Sequence, residues 1–267
     1  MWRVRGLLIA VCFFTMTPLL ISIQWLLEKL GLPGWGFICC NYYRFLCKIM
    51  RIRVHVKGTQ VRDRPVLFVS NHVSWTDILV IGSLFPVAFV AKSEVRKWPL
   101  VGITAQMQRT VFVDRSRRQQ TGGAVAEIAR RLATGTSVVL FAEGTSSDGN
   151  RVLPFRSALV GTVRDASPRN GGITIQPMAI CYTGLQGLPM GRQHMPVAAW
   201  YGDLEFMPHI KTLVQRGAID AIVSFGEPIT ADGREDRKTL AKRLEYTVRK
   251  MMGDALRGRR AGASAPR

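Results

Sequence analysis

Short apolar runs alternate with helical patterns along most of this chain, and no other feature constrains its fold as strongly. The β-branched and aromatic runs predict strands over residues 53–56, 66–70, 87–91, 110–114, 137–142, 173–181, 197–201 and 221–225. Apolar residues at helical spacing predict helices over residues 116–133, 155–166, 206–216 and 236–256. Strands that alternate with helices favour a single α/β domain, in which helices flank a mixed, largely parallel sheet.

The first 50 residues are more apolar than the rest of the chain. Residues 7–27 contain no charged side chain, and this run is long enough to cross a bilayer core of about 30 Å. Residues 31–34 read Gly-Leu-Pro-Gly and predict a turn. Residues 35–50 then mix aromatic, apolar and basic side chains, as is typical of helices at membrane interfaces.

We therefore expect an N-terminal membrane anchor over residues 1–50, made of an apolar helix at 7–27 and an interfacial helix at 35–50. Arg3 and Arg5 precede the apolar run and favour a cytoplasmic N-terminus, while the basic body that follows also favours the cytoplasm. A hairpin-like or shallow anchor satisfies both preferences. One ordinary spanning helix followed by a linker is the alternative.

The charge balance indicates the kind of partner. Lys and Arg number 37 against 18 Asp and Glu, which gives a net charge of +19 and favours polyanions or anionic lipid surfaces. Five cysteines form no Cys-x-x-Cys pair and four histidines are scattered, so we expect reduced thiols and no metal site. The main domain is expected over residues 51–257, and a basic, disordered tail over 258–267.

The segment from Asn71 to Asp77 carries the clearest chemical signal. It follows the predicted strand at 66–70 and places His72 and a carboxylate five residues apart. The carboxylate can hold one imidazole nitrogen and leave the other free to accept a proton. Such a pair needs no serine or cysteine nucleophile if the electrophile arrives already activated.

Polar residues follow three further predicted strands. Lys92 follows the strand at 87–91, Arg115 follows the strand at 110–114, and Glu143, Gly144 and Thr145 lie at the end of the strand at 137–142. Each signal alone has an ordinary interpretation as a surface lysine, a solvated arginine after a helix cap, or a turn. Together the four strand ends predict one site at an edge of the sheet, where Glu143 would contact a polyol or a cation.

In this order the residues resemble the motifs of the glycerolipid acyltransferase family, typified by 1-acylglycerol-3-phosphate acyltransferases. The resemblance covers roughly residues 50–230. The family's first motif, Asn-His-x-Ser-x-x-Asp, matches Asn71, His72, Ser74 and Asp77. The later motifs match Lys92 and Glu94 with Pro99 and Gly102, then Val113-Asp114-Arg115, Glu143-Gly144-Thr145 and Ile175-Gln176-Pro177-Met178.

The resemblance implies transfer of a fatty acyl group from an acyl carrier protein or coenzyme A thioester to the hydroxyl of a lysolipid, without a cofactor or metal. His72 would take the hydroxyl proton and Asp77 would orient the imidazole. The implied substrate-binding residues are Lys92, Arg115, Glu143, Gly144 and Thr145, and the implied supporting residues are Asn71, Ser74 and Pro177. The implied location is the bacterial inner (cytoplasmic) membrane, with the catalytic domain on its cytoplasmic face and an anionic membrane surface as partner.

Two departures from the family pattern leave the acceptor open. The third motif usually reads Phe-Pro-Glu-Gly-Thr-Arg, whereas this chain has Ala142 and Ser146 at the proline and arginine positions. A serine cannot supply the charge with which the arginine would grip a phosphate. Either Arg109, Arg151 or Arg156 substitutes for it, or the acceptor is lyso-ornithine lipid, which has no phosphate. Both acceptors remain possible, with a slight preference for lysophosphatidic acid because that branch of the family is larger.

Two other functions compete with acyl transfer. The net charge of +19 also suits a non-catalytic basic protein that binds a membrane periphery or nucleic acid, although no nucleic-acid-binding signature is present. A hydrolase would need a nucleophile, and Ser70 and Ser74 lie near His72 in sequence. No Gly-x-Ser-x-Gly elbow accompanies them.

Overall fold

The computed structural model describes residues 2–98, 101–113, 121–165, 172–231 and 235–258. Its strands are β1 (Ile52–Lys57), β2 (Leu67–Ser70), β3 (Ala88–Lys92), β4 (Val111–Val113), β5 (Val138–Phe141), β6 (Ile173–Leu185), β7 (Leu188–Pro189), β8 (Ile219–Phe225) and β9 (Ile229–Ala231). Its α-helices are α1 (Trp2–Lys29), α2 (Trp35–Met50), α3 (Thr76–Gly82), α4 (Val101–Met107), α5 (Thr121–Ala133), α6 (Ser157–Asp165), α7 (Gly191–His194), α8 (Phe206–Arg216) and α9 (Arg237–Leu256).

The strands within these ranges form one sheet of nine strands. Its main path has the order β1-β8-β6-β2-β5-β3-β4, and β7 and β9 also pair with β6. Five strands (β6, β2, β5, β3 and β4) are parallel, whereas β8 pairs antiparallel with β6 and carries β1 in its own direction. The sheet is therefore mixed and largely parallel, with helices on both faces, and the predicted α/β fold is confirmed.

Alternate side chains of the central strands pack on opposite faces of the sheet, as the pleat of a strand requires. On one face, Phe68, Phe141 and Tyr182 belong to a core that includes residues of α2 and α3. On the other face, Leu67 and Leu140 belong to a core that includes residues of α5, α6 and α9. Both faces are covered, which explains why the central strands read as continuous apolar runs.

Helix α2 packs into the domain core with one of its faces. Tyr43, Leu46, Cys47 and Met50 are buried in the same cluster as the sheet residue Phe68. Residues 35–50, which the sequence assigned to the anchor, therefore pack on the α/β body with one face of their helix. The division of the chain at residue 50 stays a prediction.

Helix α1 lies along the body and contacts it near both of its ends. Close to its N-terminus, a Cβ placed on Gly6 would be 3.6 Å from Val214 in α8. Close to its C-terminus, Gln24 Nε2 donates a 2.6 Å hydrogen bond to the carbonyl of Met107 in α4. The opposite face of the helix exposes large apolar side chains, including Leu7 and Phe14. In the described part of the chain, one helix (Arg3–Lys29) is long and apolar enough to cross a membrane by length and composition.

The predicted strand at 197–201 is wrong. Residues Met195–Val197 form a 3₁₀ helix, and the amides of Ala198 and Ala199 both bond to the carbonyl of Met195. Val197, Ala198 and Ala199 are buried, so their apolar run reflects burial and not an extended backbone. The short strands β7 and β9 were not predicted, because pairing with β6 fixes them more than their own composition does. The start of the predicted helix at 116–133 and the tail beyond residue 258 lie outside the described residues.

Candidate active site

The candidate site lies where β2 and β5 end side by side. Ser70 pairs with Phe141 in register, so the segments beginning at Asn71 and Ala142 leave the same edge of the sheet. The Asn71 side chain continues the ladder beyond the end of β2, since its Nδ2 donates to the Ile180 carbonyl and its Oδ1 accepts from the Ile180 amide, both at 2.9 Å. These two hydrogen bonds to β6 explain why an asparagine precedes the histidine.

His72 and Asp77 meet in a hydrogen bond. The distance from His72 Nδ1 to Asp77 Oδ2 is 2.7 Å, and the same oxygen accepts from the backbone amides of Val73 and Ser74 at 2.7 and 3.1 Å. The Asp77 side chain is fully buried in the first turn of α3, whereas that of His72 is 20% exposed. Because an ionised carboxylate only accepts hydrogen bonds, the proton of a neutral His72 imidazole would lie on Nδ1, with Nε2 as the acceptor.

The His72 ring and backbone are fixed independently of Asp77. The ring stacks on Phe141 at the end of β5, with centroids 4.1 Å apart and an angle of 18° between the planes. The His72 carbonyl accepts a 2.8 Å hydrogen bond from the amide of Ser147. The imidazole therefore has one defined orientation at the edge of the sheet.

Glu143 joins the two segments that leave this edge. Its Oε2 accepts from the His72 amide at 3.0 Å and its Oε1 from the Leu153 amide at 2.8 Å. The side chain is 2% exposed, and this burial raises the pKa of Glu143 to about 8. Both Glu143 oxygens therefore accept from the backbone, and contact of this side chain with a polyol or a cation stays a prediction.

Gly144 and Arg156 form the outer side of the site. Gly144 has a φ of +75°, and a Cβ on it would lie 2.8 Å from the Cδ and Nε atoms of Arg156. Arg156 Nε donates to the Glu143 carbonyl at 3.2 Å and its side chain is exposed. A glycine at this position therefore lets the arginine lie close to the third motif, next to Thr145, which is also exposed.

The other predicted site residues lie in three places. Lys92 is the exposed last residue of β3, which ends at the same edge as β5. Arg115 lies outside the described residues. Pro177 is buried in β6 opposite Val69, and its carbonyl accepts from Gly226, so it supports the sheet beside the site. Ser74, which belongs to the first motif, is fully buried.

Arg109 does not reach this edge. It precedes β4, its NH1 donates to Thr136 Oγ1 at 3.4 Å, and its guanidinium lies 4.6 Å from the ring centroid of Trp35. Thr136 precedes β5, so Arg109 lies at the amino edge of the parallel strands. Of the three arginines considered as replacements for the third-motif arginine, Arg156 has the contacts that place it at the candidate site.

A cavity of about 610 Å³ also opens at the amino edge, between α2 and residues 60–65. Arg44, Phe85 and Ser137 are among its lining residues. Because the strands separate this cavity from the carboxyl edge, it is not part of the candidate site.

Sequence reasoning missed one buried hydroxyl that contacts the pair. Tyr182 OH donates to Asp77 Oδ1 at 2.7 Å, and Thr76 Oγ1 lies 2.6 Å from the Tyr182 oxygen. Tyr182 lies in β6 beyond the predicted strand at 173–181. A phenol within an otherwise apolar stretch was the available signal, since buried hydroxyls need a partner.

Comparisons with known proteins show which sequences and which fold this chain is similar to. The model of the family described as Acyltransferase matches residues 51–181. The chain is 42% identical to a lyso-ornithine lipid O-acyltransferase of Rhizobium meliloti, with 97% of this chain and 88% of that protein covered. It is 44% identical to a protein of the same name from Brucella abortus, with 96% and 97% covered. The crystal structure of the 1-acyl-sn-glycerophosphate acyltransferase PlsC from Thermotoga maritima has a similar fold, with a TM-score of 0.66, 20% identity, and 99% and 100% of the two chains covered.

The fold, the order of the motifs and these relatives define the class of this protein, which is an acyltransferase. The chain belongs to the Acyltransferase family, since relatives 42% and 44% identical to it align over nearly its whole length. The predicted resemblance to glycerolipid acyltransferases is confirmed. The alternative of a non-catalytic binding protein is not supported, because the relatives that cover nearly the whole chain are named as acyltransferases.

Proposed function

We propose that this acyltransferase moves a fatty acyl group from a thioester to the free hydroxyl of a lysolipid, with His72 as the general base. The observation that carries the proposal is the 2.7 Å bond from His72 Nδ1 to Asp77 Oδ2, on an imidazole that solvent still reaches. With the proton on Nδ1, the lone pair of Nε2 can accept the hydroxyl proton. General-base help of this kind contributes about 10²–10⁴ in rate.

The reaction proceeds by direct attack. The acceptor oxygen bonds to the thioester carbonyl carbon while its proton passes to His72 Nε2, and a tetrahedral oxyanion forms. When the oxyanion collapses, the C–S bond breaks and the imidazolium returns the proton to the leaving thiolate. The negative charge of Asp77 stabilises the imidazolium between these two steps. No cofactor or metal takes part.

The positions of the nearby serines favour direct attack over an acyl-enzyme. Ser70 Oγ is buried without a hydrogen-bond partner, and Ser74 Oγ lies 3.5 Å from the Thr76 amide. Neither hydroxyl bonds to the imidazole, so neither is activated as a nucleophile. A hydrolase that uses one of these serines is therefore not favoured.

Lyso-ornithine lipid is the proposed acceptor, with lysophosphatidic acid as the alternative. The relatives named for lyso-ornithine lipid align with almost the whole chain, and this shifts the slight preference of the sequence for lysophosphatidic acid. Ser146 gives no charge for a phosphate monoester. An ornithine headgroup offers a carboxylate instead, for which the exposed guanidinium of Arg156 is the nearby partner.

The acyltransferase is proposed to lie shallowly in the cytoplasmic leaflet of the bacterial inner membrane. Helix α1 packs against α8 near Gly6 and against α4 at Gln24, and these two positions are 18 residues apart, which corresponds to about 27 Å of helix. A helix held at both ends by one body cannot cross the bilayer while that body stays on one side. In inverted vesicles, protease should therefore reach an N-terminal tag and the α/β body from the same side. A tag that is protected while the body is cut would contradict this placement.

The thioester donor is proposed to be an acyl carrier protein or coenzyme A. The net charge of +19 suits an acidic carrier protein and an anionic membrane surface. The test offers purified protein a labelled long-chain acyl group on either carrier, with lyso-ornithine lipid or lysophosphatidic acid as the acceptor. The blank is His72→Ala, and the matched control is His55→Ala, which changes an exposed histidine of β1.

We expect labelled ornithine lipid as the main product, at the parent rate with His55→Ala and near background with His72→Ala. A preference for lysophosphatidic acid would reverse the proposed acceptor and leave the chemistry intact. Transfer by His72→Ala at the parent rate would contradict the general base. A labelled acyl-serine peptide after digestion would replace direct attack by an acyl-enzyme.

A further inference from the structure

Strand β6 continues past the end of β2 and brings the hydroxyl group of Tyr182 into contact with the His72–Asp77 pair. Met178 is the last β6 residue in register with β2, and Tyr182 lies four residues further on. Tyr182 is 1% exposed and packs on the same face of the sheet as α3, which carries Asp77. The tyrosine therefore approaches Asp77 from the side that faces away from solvent.

The hydrogen bonds between these groups run in one direction. Tyr182 OH lies 2.7 Å from Asp77 Oδ1, and Thr76 Oγ1 lies 2.6 Å from the same phenol oxygen. An ionised carboxylate only accepts, so Tyr182 must donate its single proton to Asp77. The phenol oxygen is then left to accept, and the hydroxyl of Thr76 donates to it. Burial, together with the charge of Asp77, raises the pKa of Tyr182 well above its ordinary value, so the phenol keeps its proton.

Asp77 consequently receives donors on both oxygens. Oδ2 accepts from His72 Nδ1 and from the amides of Val73 and Ser74, while Oδ1 accepts from Tyr182. The three donors on Oδ2 come from its own loop. Among the described residues, Tyr182 is the donor to Asp77 that lies in a strand, and it ties the carboxylate to the sheet.

We infer that Tyr182 is a positioning residue for acyl transfer, whose hydroxyl, held by Thr76, fixes Asp77 Oδ1 and through it the orientation of His72. This inference rests on the proposed function, because it assigns Tyr182 a part in the step that His72 performs. Tyr182 itself does not touch the substrate. A purely structural tyrosine would affect stability alone.

The test compares Tyr182→Phe with Tyr43→Phe. Tyr43 is also buried and its hydroxyl also donates to a buried side chain, that of Gln108, but it has no contact with Asp77. Both variants lose one buried hydroxyl of the same kind. Any effect that only Tyr182→Phe shows therefore comes from its contact with Asp77 and not from the loss of a buried hydrogen bond in general.

We expect Tyr182→Phe to lower kcat about 10-fold to 100-fold, the range for one hydrogen bond to a charged group, with KM within about 3-fold of the parent. Without the phenol, the negative charge of Asp77 is less dispersed and attracts the imidazolium more strongly. The acidic limb of the kcat/KM profile should therefore move to higher pH. Tyr43→Phe should lower the unfolding temperature without moving this limb.

A second measurement follows the protonation of His72 and does not require acyl transfer. Diethyl pyrocarbonate modifies unprotonated imidazole, and mass spectrometry of the His72 peptide gives the modification rate as a function of pH. In Tyr182→Phe this profile should move to higher pH together with the kinetic one. If the parent transfers no acyl group to either lipid, the proposed function fails, while this measurement still decides the contact between Tyr182 and Asp77.

Thr76→Val keeps the inference testable if Tyr182→Phe does not fold. It preserves the phenol and removes only the donor to it, so we expect a smaller shift in the same direction and a loss of kcat of about 2-fold to 5-fold. The inference is overturned if Tyr182→Phe, or Thr76→Val in its place, leaves kcat and both pH profiles as in the parent. It is equally overturned if Tyr43→Phe moves these profiles by the same amount.

Discussion

Two loops leave the same edge of the sheet and differ in how far the protein itself satisfies their polar groups. In the catalytic loop (residues 71–75), Asn71 and Ser74 are fully buried, and the asparagine amide is bonded to β6. In the recognition loop (residues 144–156), Thr145, Arg151 and Arg156 are exposed. The first loop holds most of its polar groups inside the protein, whereas the second, although its Ser147 amide bonds to His72, also exposes polar side chains to solvent.

The difference separates two requirements of one reaction. The proposed general base would have to keep its orientation whatever lipid is bound, and the hydrogen bonds of the catalytic loop hold His72 in one orientation. The proposed headgroup site would have to match one acceptor, and exposed side chains can provide that match. The replacement of the third-motif arginine by Ser146 falls in the recognition loop, as this division predicts.

The largest effect on activity is expected from substitution of Asp77, to which the catalytic loop is bonded. Asp77→Asn keeps the size of the side chain but replaces one acceptor oxygen by an amide donor, which disrupts the bonds to His72 Nδ1 and the loop amides. The imidazole can then turn to the other tautomer, with its proton on the nitrogen that should accept. We expect kcat/KM for acyl transfer to fall by about 10²–10⁴. Steady-state kinetics with a labelled thioester measures it.

Asp220→Asn is the matched control for this substitution. Asp220 lies in β8, where it pairs with Arg53 and His55 away from the site. We expect near-parent kinetics for this variant. If Asp77→Asn also retained most of its activity, the catalytic loop would not be the chemical half of the site.

A smaller effect, on stability, is expected from substitution of Glu143, the residue that joins the two loops. Glu143→Gln puts an amide group opposite one of the two backbone donors, His72 N or Leu153 N, and leaves that donor without a partner. We expect the free energy of unfolding to fall by about 1–3 kcal/mol. Denaturant titration measures it, with the exposed Glu227→Gln as a control that should change little.

The same substitution should remove a pH dependence. Burial raises the pKa of Glu143 from 4.5 to about 8, so between these values the folded protein binds more protons than the unfolded chain. This contribution to stability is complete below pH 4.5 and is lost as pH rises through about 8. The free energy of unfolding of the parent, relative to Glu143→Gln, should therefore decrease across this window. A difference that stays constant or grows with pH would contradict the assignment.

The sequence was sufficient for the fold class and for the contact between His72 and Asp77. Alternation of apolar runs predicted β2 and β5 within about one residue of their observed ends, because buried parallel strands read as continuous apolar segments. The order His72, Asp77 on a strand end predicted their hydrogen bond. The strand ends and this hydrogen bond both depend on residues that are close together in the sequence.

Contacts between residues far apart in the chain could not be predicted from the sequence. Tyr182 reaches Asp77 from 105 residues away, and its position depends on how far β6 extends past β2. The hydrogen bonds that Glu143 accepts from the His72 and Leu153 amides were not predicted, because nothing in its own loop shows that these amides lie beside it. Arg109 and Arg156 looked equivalent in the sequence until the sheet placed them at opposite edges.

The smallest effect is expected in the recognition loop. Arg156→Gln removes the guanidinium beside the third motif but leaves His72 and Asp77 unchanged. We expect KM for lyso-ornithine lipid to rise about 5-fold to 10-fold with kcat near the parent value, at the low end for a hydrogen bond to a charged group because Arg156 is exposed. Arg192→Gln, which changes an exposed arginine of α7, should leave KM as it is.

The reverse change sharpens the same comparison. Ser146→Arg restores the arginine of the family's third motif and should raise kcat/KM for lysophosphatidic acid relative to lyso-ornithine lipid, because a guanidinium binds a phosphate monoester through two hydrogen bonds. It should do so without moving the pH profile, which belongs to the catalytic loop. If Arg156→Gln lowered kcat as strongly as Asp77→Asn, or if Ser146→Arg shifted the pH profile, headgroup binding and proton transfer would not be divided between the two loops.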